Sequence, residues 1–138
     1  MQFNRKIKSL IDTPKECLQF IHDQLKPKQT EKKQFGEVFT PPSLVEEMLD
    51  KLPIEVWSNP KLKWFDPACG MGNFLIAVYL RLMDGLKVCI PDESERKKHI
   101  LERQLYMSEI NPKNVQVYKF YLKACIRIRS SSVNTILL

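Results

Sequence analysis

The sequence predicts an α/β domain built on a parallel sheet and preceded by a helical N-terminal extension. Three observations lead there. Short apolar runs of strand length alternate with stretches of helical periodicity, the pattern of strand–helix–strand units. The first of these runs, Leu62-Lys63-Trp64-Phe65-Asp66, passes directly into a glycine-containing turn that opens a helix. No apolar run approaches the roughly 20 residues that span a bilayer, and 43% hydrophobic with 28% charged residues is a globular composition.

Taken in order, residues 3–25 show helical spacing through Phe3, Ile7, Leu10 and Ile11, then Leu18, Ile21 and Leu25. Thr13-Pro14 with Glu16 reads as a capping box between two helices, and residues 26–34 as a polar, basic linker. The expected division is therefore residues 1–34 as extension and linker and 35–138 as the α/β domain. Phe39-Thr40-Pro41-Pro42 starts a helix with Leu44, Val45, Met48, Leu49 and Leu52 on one face, and Pro53 ends it. After the strand at 62–66, Asn73–Gly85 is apolar nearly all round and reads as a packed helix, with Gly85 as its C-terminal cap. A charged helix is expected over Asp92–Arg103, a second strand over Gln104–Ser108 ending at Glu109, a third helix over Asn111–Arg129 and a third strand from Asn134.

Net charge is +6, with the excess at the two ends: eight Lys/Arg against four Asp/Glu in residues 1–33, and five against none in 110–138. Such ends fit a polyanionic partner or simply solvated helix faces. The four cysteines, Cys17, Cys69, Cys89 and Cys125, form no CxxC pair, which argues against a zinc site or a disulfide framework and for a reduced, intracellular setting. His22 and His99 stand alone on helices and Trp57 and Trp64 read as core or lid residues. The Tyr118, Phe120 and Tyr121 cluster reads as helix packing.

The chemistry concentrates in Asp66-Pro67-Ala68-Cys69-Gly70-Met71-Gly72-Asn73-Phe74. Glycine permits positive φ and lets a ligand press against bare backbone, and the helix that follows presents free N–H groups. Ligands of open α/β sheets bind at such carboxyl ends of strands. A dinucleotide fingerprint needs a third glycine where Leu75 stands, and a phosphate loop needs Gly-Lys-Ser/Thr, which is absent. The turn opens instead with an acid, Asp66, which repels phosphate but holds an ammonium through charge-assisted hydrogen bonds. S-adenosylmethionine carries an ammonium and no phosphate.

These residues resemble motif I of the adenine-N6 DNA methyltransferases. Gly36-Glu37-Val38-Phe39-Thr40-Pro41-Pro42 is similar to that family's motif X, which precedes motif I in the gamma-type order, and Tyr106-Met107-Ser108-Glu109-Ile110-Asn111-Pro112 is similar to motif II. The resemblance covers Gly36–Pro112. It implies a partial Rossmann-like S-adenosylmethionine-dependent methyltransferase fold containing the first two or three parallel strands. It also implies roles. Asp66 and the Gly70 backbone hold the methionine ammonium, and Ala68, Cys69 and Gly72 line the methionine chain. Phe39, Thr40 and Pro41 contact the carboxylate or cover the cofactor. Glu109 accepts from both ribose hydroxyls, and Ile110 packs on the adenine. Two departures stand out: Glu109 lies 37 residues past Gly72, beyond the roughly 20 of a minimal unit, and Ser108 occupies a usual glycine position. From the residues alone, Glu109 also reads as a helix cap beside Asn111-Pro112.

The family transfers the methyl group with an Asn/Asp/Ser-Pro-Pro-aromatic motif that grips a flipped adenine. Asn59-Pro60-Lys61 and Asn111-Pro112-Lys113 fail at the third position, and Thr40-Pro41-Pro42-Ser43 lacks the aromatic. The expectation is thus a cofactor-binding portion with no catalytic residue of its own, inactive alone, whose first strand borders no fourth strand. Its expected partners are double-stranded DNA and a second chain or C-terminal part carrying the catalytic motif and target-recognition domain. A non-catalytic DNA-binding or assembly module with a decayed methyltransferase fold is the alternative. A relative acting on protein glutamine or RNA adenine is a third.

Overall fold

A computed structural model of the chain describes residues 16, 40–116 and 135–137. The chain separates into two compact units, one of residues 40–110 with 132–138, the other of residues 1–39 with 111–131. In the second unit the described helical stretch is 112–116. It is capped by Asn111, whose Oδ1 accepts from the Lys113 N–H at 3.0 Å, so the cap once open to Glu109 belongs to Asn111. Of the expected helices over residues 3–25 only Glu16, helical and exposed, is described; their other residues, and the rest of the helix over 111–129, lie outside the described residues.

The first unit runs α1 (Pro42–Leu49), a 3-10 helix (Ile54–Ser58), β1 (Trp64–Asp66), α2 (Asn73–Gly85), α3 (Glu93–His99), a π turn (Ile100–Gln104), β2 (Leu105–Glu109) and β3 (Thr135–Leu137). The three strands form one parallel sheet in the order β1-β2-β3, so β1 lies at an edge. Trp64, Phe65 and Asp66 pair with Leu105, Tyr106 and Met107, and Met107, Ser108 and Glu109 pair with Thr135, Ile136 and Leu137.

α2 is the hub of the core. Leu75, Ile76, Ala77, Val78, Tyr79 and Leu82 are all buried, and the helix touches α1, the 3-10 helix, α3 and the π turn. Each large apolar side chain so enclosed contributes about 1.5–3 kcal/mol, which explains why this helix carries almost no polar face. Arg81 joins α2 to α1, its Nη2 donating to Glu46 Oε2 and Asp50 Oδ1, each at 2.6 Å. The same guanidinium lies 5.1 Å from the centre of the Trp57 ring, and Trp57 stacks on Trp64 with ring centres 4.8 Å apart. The loop that delivers the chain into β1 is pinned from the π side: Gln104 Nε2 donates to the Asn59 and Leu62 carbonyls at 3.1 and 3.0 Å, and His99 Nε2 lies 2.9 Å from the Pro60 carbonyl.

Three details depart from the sequence expectation. α1 stops at Leu49 and buries only Val45 and Leu49, while Leu44, Met48 and Leu52 remain exposed. The charged helix gives way at Ile100 to a wider turn in which the Leu105 N–H reaches back five residues to the Ile100 carbonyl. Gly85 is not a left-handed cap; positive φ occurs only at Gly70 and Gly72 among the described glycines. Its missing side chain instead admits the Trp57 backbone, since an added Cβ would stand 2.3 Å from the Trp57 oxygen. Among the described residues no helix is long and apolar enough to cross a membrane.

Because the obstacle at Gly85 is backbone, no rotamer change relieves it. Gly85→Ala is expected to lower unfolding free energy by about 1–3 kcal/mol, as overpacking does; chemical denaturation followed by tryptophan fluorescence measures it through the adjacent Trp57.

Candidate functional site

β1 and β2 run in the same direction, so their carboxyl ends, Asp66 and Glu109, lie at the same end of the sheet. Asp66 pairs with Met107, and Glu109 is two residues further along β2. Alternate residues of a strand share a face, so the Asp66 and Glu109 side chains project from the same side. With about 4.8 Å between strands and about 3.3 Å per residue along them, their Cα atoms stand roughly 8 Å apart. Glu109 is buried and Asp66 half-buried. Burial is the main reason the Asp66 carboxyl titrates above the ordinary aspartate range; the Ala68 N–H opposes the rise and the nearby charge of Glu109 adds to it. That N–H donates to Asp66 Oδ1 at 3.1 Å, closing a small Asx turn that fixes the carboxylate at the start of the loop. No salt bridge reaches Asp66 among the described residues.

The loop then turns back on the sheet. The Cys69 N–H donates to the Ser108 carbonyl at 3.0 Å and the Gly72 N–H to the Cys69 carbonyl at 2.7 Å. Gly70 has φ 54° and Gly72 φ 87°, left-handed values that carry a penalty for any residue with a Cβ. Gly72 is the N-cap of α2 and supplies no side chain, so the first N–H groups of that helix have no side-chain acceptor of the usual kind. Cys69 is buried beneath the turn. Its thiol is pushed up to about 12, first by burial and then by the charges of Asp66 and Glu109. It is a small packing group rather than a nucleophile.

Of the other residues expected here, Thr40 precedes α1 and is half-exposed, and Pro41 is exposed with its carbonyl accepting from the Leu44 and Val45 N–H groups. Ile110 follows β2 and is 62% exposed. Phe39 lies outside the described residues. Asp66, Ala68, Cys69, Gly70 and Gly72 thus share one loop, with Glu109 beside it on the neighbouring strand. One participant escaped sequence reasoning: Asn73, the first residue of α2, is 8% exposed, and its Nδ2 donates to the Thr40 carbonyl at 2.9 Å. The available signal was a polar residue opening a helix otherwise apolar nearly all round.

The family model described as N-6 DNA Methylase matches residues 18–123, more than half of the chain. The chain belongs to that family. It is also 49% identical over 73 residues to a protein described as an uncharacterized adenine-specific methylase of Mycoplasma pneumoniae, a match covering 51% of this chain and 17% of that relative. The chain therefore spans under a fifth of the length of the curated relative it matches. The Asp66 loop and Glu109 fall inside the part of this N-6 DNA methylase chain that the family model covers.

The thiol geometry gives a direct check. At pH 8, iodoacetamide is expected to modify the exposed Cys89 while leaving the buried Cys69 intact, and both should react once the protein is unfolded. Peptide mass mapping reads the difference.

Proposed function

We propose that this chain is the S-adenosylmethionine-binding portion of a site-specific DNA adenine-N6 methyltransferase, with a Rossmann-like methyltransferase domain over residues 35–138 behind a helical extension of residues 1–34. The observation that carries it is the pair of carboxylates on one face at the carboxyl ends of adjacent parallel strands, beside a turn that carries two left-handed glycines. The electrostatics fit the cofactor. Two acids without a cation at Asp66 disfavour phosphate and favour a ligand carrying an ammonium. The glycine turn offers bare backbone at positions whose left-handed φ disfavours a Cβ.

Asp66 and the Gly70 backbone would hold the ammonium. Ala68, Cys69 and Gly72 would line the methionine chain, and Phe39, Thr40 and Pro41 would cover it. Glu109 would accept from both ribose hydroxyls, while Ile110, already exposed, would meet the adenine. Bound there, the cofactor supplies an electrophilic methyl group. The residues that grip the target adenine would come from a Pro-Pro-aromatic segment absent from residues 1–138, on the same polypeptide or on a partner, so these residues alone would bind the cofactor without transferring its methyl group. Double-stranded DNA is the proposed polyanion, in an enzyme of the restriction-modification type working wherever that DNA resides. Residues 40–110 hold nine Lys/Arg against eleven Asp/Glu, whereas the rest of the chain holds thirteen against five. The DNA-attracting charge therefore lies outside the cofactor unit. That same segregation favours the second reading, a DNA-binding or assembly module. Such a module would retard DNA in a salt-sensitive mobility-shift assay indifferent to cofactor.

Titration calorimetry with S-adenosylmethionine is the test, and an absence of saturable heat from folded protein overturns the proposal. Asp66→Ala and Glu109→Ala should each weaken binding by about 1.5–3 kcal/mol, the range for a hydrogen bond to a charged group.

The pH dependence follows from the raised Asp66 carboxyl. An ammonium pairs with the ionised form, so affinity should fall as pH drops through the Asp66 titration. Binding should also release protons in that range, because the cation draws the carboxyl back down. Titrations in two buffers of different ionisation enthalpy detect the release, and Asp66→Asn should abolish it.

A further inference from the structure

We infer that Asn73 is a positioning residue that latches the segment ahead of α1 onto the glycine turn, so that a ligand gripped by the turn is also covered by Thr40 and Pro41; this rests on the cofactor reading above. Asn73 follows the left-handed Gly72 and is over nine-tenths buried at the head of an apolar helix. A buried amide is unfavourable unless its hydrogen bonds are made. Its Nδ2 makes one, to the Thr40 carbonyl at 2.9 Å, across 33 residues of sequence.

That bond serves neither helix end. α1 begins on Pro41 and Pro42 with no side-chain cap, and α2 begins on Gly72, likewise without one. Its effect is to join two segments. The far end of α1 is already tied to α2 through Arg81 and the acids Glu46 and Asp50, and Asn73 fastens the near end, beside the Gly70–Gly72 turn. Donation to a carbonyl also fixes which way the amide faces, because only its N–H₂ side can meet the Thr40 oxygen. Oδ1 is left buried with no partner among the described residues. A residue kept polar with one acceptor unfilled is poorly explained by packing alone.

Two variants of the 138-residue chain separate latch from scaffold. Asn73→Asp keeps the shape and places a carboxylate at a helix N-terminus, where it is favourable, but sets an acceptor against the Thr40 carbonyl. Asn73→Ala removes the group. Both are measured by calorimetry with S-adenosylmethionine, by thermal melting and by hydrogen exchange with and without the cofactor. Asn73→Asp is expected to melt below the wild type, because a carboxylate is buried against a carbonyl, yet to keep α2 protected without ligand and to bind about tenfold more weakly, the loss of one buried hydrogen bond. In the wild type the cofactor should slow exchange both at 66–76 and at 42–49. In either variant it should still do so at 66–76 and fail at 42–49. If both variants bind as the wild type does and retain cofactor-dependent protection at 42–49, the latch is wrong. If Asn73→Asp instead loses protection throughout α2 without ligand, the role is structural and the latch is equally overturned. If the wild type itself binds nothing, the cofactor reading falls and the latch with it.

Discussion

Everything at the candidate site depends on how the chain leaves β1. Between Asp66 and Asn73 it must reverse from an extended strand into a helix without stranding polar backbone groups in the interior. It does so by extending the sheet ladder past the strand end, with the Cys69 N–H on the Ser108 carbonyl, and by turning through two left-handed glycines. The first anchor ties the loop to β2 and so sets it beside Glu109. The second brings the loop round to the start of α2. Asx closure at Asp66 completes the arrangement by holding the carboxylate where the reversal begins.

This geometry is not the one that stability alone favours. Asp66 is partly desolvated and faces the charge of Glu109, and both raise its carboxyl above the ordinary range. A folded-state value above the unfolded one means the folded protein holds that proton more tightly. Its contribution favours folding at low pH and is lost as pH rises through the folded value. At neutral pH the ionised acid therefore works against the fold. Perturbed groups of this kind cluster at functional sites, and the well-packed α2 supplies the offsetting stability.

Much of this was legible in the residues. α2 was read from Asn73 to Gly85 as observed, because Gly72 marks its start and apolar residues fill nearly every face. The first two parallel strands were expected where they occur, to within one or two residues at their ends, and the third falls where the reading of two or three strands left it open, from Asn134. The neighbourhood of Asp66 and Glu109 followed from motif order rather than from periodicity, since nothing local distinguishes a strand-terminal acid from a cap. Other features left weaker traces. Gly85 was read as a cap because glycine after a helix usually is one; its actual function, admitting the Trp57 backbone, is a tertiary contact that no local pattern reveals. The exposed Leu44, Met48 and Leu52 match the helical period as well as the buried Val45 and Leu49 do. Asn73 was visible only as an anomaly, and its partner lies 33 residues away.

The π turn before β2 adds a further consequence. A wide helical turn of this kind accommodates one residue more than an α-helix would, and here it discharges straight into a strand through the Leu105-to-Ile100 bond. The surplus residue is thus absorbed upstream, and the strand's phase is left intact. Excision of a single amino acid from 100–104 would restore ordinary helical pitch without turning β2 over, whereas loss of a residue at the start of β2 would invert every side chain beyond it. Tyr106 and Ser108 would then exchange sides with Met107 and Glu109, leaving the loop after β1 opposite a hydroxyl instead of an acid. A one-residue difference in length should accordingly be tolerated in this wide turn and excluded from β2 itself.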